Sequence, residues 1–569
     1  MAEIESPGAG LAAGDEVKPY KVHVSSRYLD LTRQKLELTR LPHEGAKPPS
    51  EEWWEPKPQV EPLIDFWLEK YSWRTQEEAL NKTPQFRTAI SVSASETPLR
   101  IHFIHVASPH SHALPLLLIP PFPFSNLALT HLVKPFTDPE DASSNQPFHL
   151  VIPALPGLGF SDAFPNNTPV ISTTADMLNT LMSRLGYQHY LVTNSGAAQS
   201  SPAEIDWKLL ECLSNSYPNS CVGAHFVSPP LASPRLSEAP LEWAKWTIAN
   251  VFNAPILGYK EEDFSALKHA GAFIKPRSSK KTLNPAKLGL NNVGLREPNT
   301  LAYAMCDSPT GILVFVMKGL RLLAPRMKPT PEQVITITNL AWLPGPEYAM
   351  RFWAHCAQHD ETKGKSSKKK AATRPRVGIT VFLGDKEEEG SDSVAREAGE
   401  DAIQLEGPTN LENGTRYACP GWAKARYSVL SSQRVSGEAG LLAWERPDVI
   451  LTGIRGLAKE VTKVDRRLKP SSEPTTSPLE AVVTPKETTS KDGGLKPPER
   501  PALEQGDSSR TQVGSQPPSS PKRKESEPVS AKPAVSPLSK DDNDDRKYGE
   551  GKTSDTVVLV TPPKDNAAK

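Results

Sequence analysis

This chain carries no net charge: 66 Lys and Arg offset 66 Asp and Glu over 569 residues. Without a bulk field, nothing draws it toward nucleic acid or an anionic bilayer. Its five cysteines, Cys212, Cys221, Cys306, Cys356 and Cys419, have no C-x-x-C spacing, which argues against a zinc cluster and against a secreted disulfide framework. No apolar run approaches the length of a membrane span, and the opening M-A-E-I-E-S-P-G-A-G has neither a basic n-region nor an apolar h-region. These absences lead to the expectation of a cytoplasmic protein with no membrane span, no nucleic-acid partner, no cofactor and no metal. Histidine is missing from every position after His359. Proline, by contrast, is abundant at 57 residues while apolar residues make up 37%, so part of the chain does not pack.

That part begins near residue 465, where Pro, Ser, Thr, Lys and Glu take over, as in KPSSEPTTSPLEAVVTPKETTSKDGGLKPPER. Such a segment buries too little apolar surface to offset its chain entropy, so 465–569 reads as a disordered tail, as does 1–18. The tail offers Ser-Pro and Thr-Pro sites at Ser477, Ser536, Thr484 and Thr561 as phosphorylation candidates and a contact for a protein partner. Its basic run Pro521-Lys522-Arg523-Lys524 has the form of a nuclear-import signal, although short basic runs are common in such tails. Asn413-Gly414-Thr415 is a glycosylation sequon by pattern, and without an export signal it reads as an ordinary turn.

The rest divides into 19–110, 111–231, 232–360 and 361–464. In the first, SRYLDLTRQKLELTRL places apolar residues at helical spacing. From 111 to 231, LPLLLI, FHLVIPAL, HYLVT and VGAHFVS are apolar runs of strand length, separated by helices such as TTADMLNTLMSRLG. Unbroken apolar strands between helices predict an α/β fold with a doubly wound, mostly parallel sheet covered on both faces. Residues 232–360 read as helical, after which RVGITVFLGD and ARYSVLSSQR resume the sheet between two charged loops. A helical insertion inside a parallel sheet is the layout of an α/β-hydrolase with a lid.

WLEKYSWRTQEEALNKTPQFRTAI followed by LRIHFIHV resembles the N-terminal segment of the microsomal epoxide hydrolase family. TLAYAMCDSPTGIL resembles that family's lid, and RLGYQHYLV the approach to its nucleophile. The resemblance runs over roughly 19–460 and implies a hydrolase in which a carboxylate on a sharp strand-to-helix turn attacks an epoxide carbon. A histidine oriented by an acid then activates water, while lid tyrosines and backbone N–H groups steady the developing charge.

Carried across by position, the resemblance implies a site stripped of its reactive groups. The oxyanion turn falls on Pro120-Pro121-Phe122-Pro123-Phe124-Ser125, where the first two residues have no N–H to give. The nucleophile falls on Gly196 when counted from RLGYQHYLV. Counted back from YPNSCVGAHFVS it falls near Glu204 to Asp206, and Asp206-Trp207 reproduces the family's D-W pair. Ser201-Pro202-Ala203-Glu204 has the form of a helix cap, which puts Asp206 in the second turn of a helix starting at Pro202. Asp206 then reads first as a solvated or helix-start acid and second as a displaced nucleophile. The histidine position holds Gly440, in EAGLLAWERP. Asp385 stands where the orienting acid belongs and otherwise reads as a strand-end turn residue. The lid tyrosine positions hold Leu290 and Trp353, with Tyr348 about one turn away as a substitute donor.

Plain roles remain for other histidines: His102 and His105 on a hairpin strand, His110 and His112 in a polar loop, and His355 with His359 on a helix surface, where an i, i+4 pair without a third ligand is no metal site. Two functions follow. One is an epoxide hydrolase-like pseudoenzyme that keeps a cavity for a small apolar ligand or a partner. The alternative is an active hydrolase using Asp206 or Glu204, with Tyr348 as donor.

Overall fold

The computed structural model describes residues 16–43, 54, 56–166, 168–270, 296–324, 326–359, 361, 374–384, 402–403, 405 and 417–468. Asp385, Leu290, the basic run around Lys522 and the tail beyond 468 lie outside the described residues.

The strands are β1 (Lys18–Pro19), β2 (Gln85–Ile90), β3 (Leu99–Val106), β4 (Leu114–Ile119), β5 (Phe148–Pro153), β6 (Tyr190–Asn194), β7 (Cys221–Val227), β8 (Arg376–Phe382) and β9 (Ser428–Val435). They form one sheet in the order β1-β2-β3-β5-β4-β6-β7-β8-β9. The first four in that order pair antiparallel and the rest parallel. The β4 run L-P-L-L-L-I shows why no polar alternation marks these strands. Leu117 and Ile119 enter one core while Leu114, Leu116 and Leu118 enter the other, so both faces need apolar side chains.

The helices are α1 (Ser26–Glu37), α2 (Lys57–Glu69), α3 (Trp73–Leu80), α4 (Val133–Thr137), α5 (Val170–Arg184), α6 (Ile205–Ser216), α7 (Pro240–Phe252), α8 (Glu261–His269), α9 (Pro298–Met305), α10 (Pro309–Leu323), α11 (Pro331–Trp342), α12 (Glu347–Gln358), α13 (Leu442–Glu445) and α14 (Pro447–Val464). Leu178 and Leu181 of α5 and Leu209 and Leu213 of α6 cover the first face, and Ile450, Ile454, Leu457 and Val461 of α14 cover the second. Helices α7 to α12 are the insertion between β7 and β8 that the sequence marks as a lid. No single helix among the described residues is long and apolar enough to cross a membrane.

Two details depart from the sequence reading. The folded body continues past 465: Asp465 accepts from Arg376 Nη1 at 2.5 Å and Arg467 Nη2 at 2.6 Å, which holds its carboxyl well below the usual range, and Leu468 is buried. Helix α6 begins at Ile205 rather than Pro202, because Ala203 and Glu204 both take left-handed backbone, with φ of 50° and 58°. The Ser201 hydroxyl accepts from the Asp206 N–H at 3.1 Å and there is no capping box. Asp206 is therefore in the first turn.

The segment W73-R-T-Q-E-E-A-L-N81 works as a clasp on the extended segment between β1 and α1. Glu77 accepts from Val24 N–H at 2.8 Å, Trp73 Nε1 at 3.0 Å and Arg74 Nη1 at 2.7 Å. Asn81 bonds both backbone groups of Val22 at 2.8 Å. Gln76 reaches Glu332 of α11 at 2.7 Å. At the other end of the α10–α11 hairpin, Trp342 Nε1 donates to the Thr32 hydroxyl at 2.9 Å and the hydroxyls of Thr39 and Thr310 lie 3.1 Å apart, so α1 grips the lid there.

Candidate active site

In a parallel sheet the turns after the strand C-termini converge on one rim, where such folds place their ligands. Here β4 runs into 120–125, β6 into 195–204 and β9 into 436–441. The structure brings all three turns to the rim and shows what surrounds each position the resemblance singles out.

At the end of β6, Ser195 donates both its N–H (2.9 Å) and its hydroxyl (2.8 Å) to the Ile119 carbonyl, locking the turn against β4. A Cβ built on Gly196 would lie 2.9 Å from the Pro121 Cβ and 3.4 Å from Asp206 Oδ2. The proline that removed an N–H donor thus also fills the space a side chain at 196 would need.

Asp206 is not the solvated acid the cap pattern suggested. It is 1% exposed, because the left-handed pair at 203–204 turns the first residues of α6 inward. Its Oδ1 accepts from the Phe122 N–H at 3.2 Å. Among the described residues no cation pairs with it, and burial pushes its carboxyl up to about 7, against smaller opposing effects of Phe122 and Ser201. The carboxyl comes back to the elbow's side of the rim, but its one rim donor is the backbone of Phe122. Glu204, the other displaced-acid candidate, is exposed in the left-handed turn.

Gly440 has a φ of +61°, and a Cβ there would lie 1.7 Å from Glu445 Oε2. The Glu445 carboxylate, its side chain 2% exposed, stands where an imidazole on residue 440 would begin. It accepts from the N–H groups of Arg326 (2.7 Å), Met327 (3.0 Å) and Leu441 (3.2 Å) and pairs with the Arg326 guanidinium at 3.4 Å. Sequence reasoning missed this pair. Its signal was the E-R-P triplet after the missing histidine, and only packing reveals that the glutamate folds back on it.

Under the lid is a cavity of about 90 Å³ lined by Phe122, Phe124, Leu158, Ile312, Phe315, Val316, Ile337, Leu340, Met350 and Trp353, with backbone from Gly157 and Gly159. Gly157 has φ +77° and lies so close to α12 that a Cβ would fall 2.7 Å from the Tyr348 Cβ, which is why the P-G-L-G turn needs its glycines. Among the described residues in this wall there is no carboxylate and no imidazole, and Ser125 is the one hydroxyl. Trp353, which the resemblance sets at a lid tyrosine position, belongs to the wall, and its Nε1–H has no partner among the described residues. Tyr348 lies outside this wall. It is 40% exposed under the Arg351 guanidinium and lines a separate surface groove.

The histidines take structural roles. His102 is wholly buried between Gln85 (3.0 Å) and Asn126 (3.4 Å), and burial lowers it to about 3. His225 bridges the Thr193 and Thr380 hydroxyls at 2.9 Å across β6, β7 and β8, also lowered to about 3 by burial. His355 is half-buried, 3.8 Å from Glu361. No group of His, Cys, Asp and Glu among the described residues could hold a metal.

Residues 17–129 match the epoxide hydrolase N-terminus family. Juvenile hormone epoxide hydrolase 1 of Ctenocephalides felis is 25% identical over 347 residues, 59% of this chain and 63% of that protein. Epoxide hydrolase 1 of Sus scrofa is 26% identical over 331 residues, 55% and 64%. The matches thus span less than two thirds of these relatives' length. The juvenile hormone epoxide hydrolase of Bombyx mori superposes with a TM-score of 0.53 at 17% identity, covering 79% of this chain and 95% of that one. The epoxide hydrolase of Aspergillus niger superposes with a TM-score of 0.54 at 18%, covering 79% and 97%. At those identities the superpositions speak for the fold. The N-terminal segment is thus that of epoxide hydrolases, and the body has the α/β-hydrolase fold of the epoxide hydrolases it superposes on.

Proposed function

We propose that this chain is a non-catalytic member of its family that holds a small apolar ligand beneath the lid. The observation that carries the reading is the make-up of the cavity wall, where among the described residues no nucleophilic carboxylate and no imidazole meets the enclosed space. Epoxide opening through an ester requires both a carboxylate that attacks and a base that frees water for the second step. The two positions at which the resemblance expects them are glycines, and each glycine's side-chain space is taken, by Pro121 at 196 and by Glu445 at 440. The lining favours a neutral, largely hydrocarbon molecule, and the unpaired Trp353 N–H favours one with a single acceptor oxygen.

The rival reading, turnover through Asp206, draws on its raised pKa and the Phe122 N–H beside it. Asp206 is nevertheless outside the wall, and Tyr348 faces the other way. The experiment is to incubate purified full-length protein with styrene oxide, following diol by chromatography and the intact protein by mass spectrometry. The proposal expects no diol above the uncatalysed rate, no covalent adduct, and a rise in melting temperature with the epoxide that ethylbenzene, which lacks the acceptor oxygen, matches only in part. Diol formation that disappears in Asp206→Asn would sink it.

A further inference from the structure

Helix α7 is apolar on two sides and covered on one. Its inner side is fixed by Ala249, fully buried, and by Trp246, whose ring packs on Tyr259, Phe264 and Trp422 with centroids 5.1, 6.2 and 5.2 Å away. Its outer side carries Leu241, Ala244, Ile248 and Val251, a 3-4-3 spacing that puts all four on one stripe with Phe252 beside them. That spacing belongs to a helix packed against another helix, yet Val251 is 70% and Phe252 72% exposed. Ile256 and Leu257, in the turn that follows, extend the same surface and are also exposed.

The size of the patch indicates what would cover it. Leu236, Leu241, Trp243 and the residues from Ile248 to Leu257 just named leave on the order of 700 Å² uncovered, close to the ~800 Å² per partner of a standard protein interface and more than a typical monomer displays. The rim has both signs: Arg235 and Glu238 form a pair at 3.8 Å at one end, and Lys260 and Glu261 stand exposed at the other. An anionic bilayer calls for a basic surround, whereas a rim of mixed sign can pair with its own copy.

We propose that the outer stripe of α7 is the contact through which two copies of this chain associate, helix against helix across a twofold axis. In an antiparallel pair Leu241 meets the partner's Val251, and the small Ala244 lets the helices approach near the axis. This association is independent of the ligand reading above.

The test is sedimentation velocity on the full chain over a range of micromolar concentrations. The wild type is expected to shift from monomer to dimer as concentration rises, and Val251→Glu/Phe252→Glu to stay monomeric throughout. Because both side chains face solvent in the single copy, the variant's near-ultraviolet circular dichroism should match the wild type's. Leu241→Lys, at the other end of the stripe, provides a second variant should the first not fold. A wild type that stays monomeric at its highest soluble concentration overturns the proposal, as does a dimer that both folded variants retain. Monomeric protein that co-sediments with phosphatidylcholine vesicles overturns it in favour of a lipid surface.

Discussion

Glu77 in the N-terminal clasp and Asp206 at the rim are both carboxylates with almost no exposed surface, and their surroundings treat them in opposite ways. Burial works against the charge of each. At Glu77, Val24 N–H, Arg74 and Trp73 overcome that penalty and hold the pKa below its ordinary value. At Asp206 a backbone N–H at 3.2 Å and the nearby Ser201 do not, and the carboxyl rises to about 7. The clasp is a satisfied charge; the rim acid is one the fold tolerates mainly as a neutral group. The clasp is thus fully bonded, while at the rim the side-chain spaces of Gly196 and Gly440 are filled by Pro121 and Glu445.

The strongest way to break that contrast is to restore a reactive group. Gly440→His should not bring back hydrolysis, since its Cβ would collide with Glu445 in a backbone conformation unsuited to side chains. Displacing Glu445 from Arg326 adds to that strain, and the loss should be about 3–5 kcal/mol, read as a fall in denaturant midpoint. Glu77→Ala should cost about 2–3 kcal/mol at pH 7 by orphaning two buried N–H donors and Arg74. The Glu77 contribution is present above the unfolded carboxyl pKa and fades as pH drops through the lowered folded value, so parent and variant melting curves should draw together in acid.

Asp206→Asn gives the smallest effect and the opposite sign. A carboxyl whose folded pKa exceeds its unfolded one favours the fold below about 4, and that advantage drains away as pH climbs to about 7. The asparagine variant should match the parent near pH 4 and exceed it by about 1–3 kcal/mol at pH 8. A variant less stable than the parent at pH 8 would mean that the ionised acid is wanted there, which would reopen the catalytic reading.

Much of the architecture was legible because both sheet faces are covered: LPLLLI, FHLVIPAL and VGAHFVS could be nothing but inner strands, and the lid interrupts them with helices. That no histidine follows His359 and that prolines stand at 120–121 were likewise plain in the sequence. Illegible were the features made by backbone conformation and by contacts across long separations. Ser-Pro-Ala-Glu has a capping pattern, but the left-handed Ala203 and Glu204 delay the helix to Ile205 and bury Asp206. Spacing alone could not tell that Glu445 would occupy the room beside Gly440, or that Tyr348 would pack over Gly157 and leave the cavity to Trp353.

The α10–α11 hairpin is held at its loop by Glu445 and Gln76 and at its open end by Thr32 and Thr39. A roof fastened at both eaves does not lift to admit a bulkier guest. On the ligand reading proposed above, the chamber beneath it should screen molecules by rigid outline, with an abrupt upper limit on size in place of gradual accommodation.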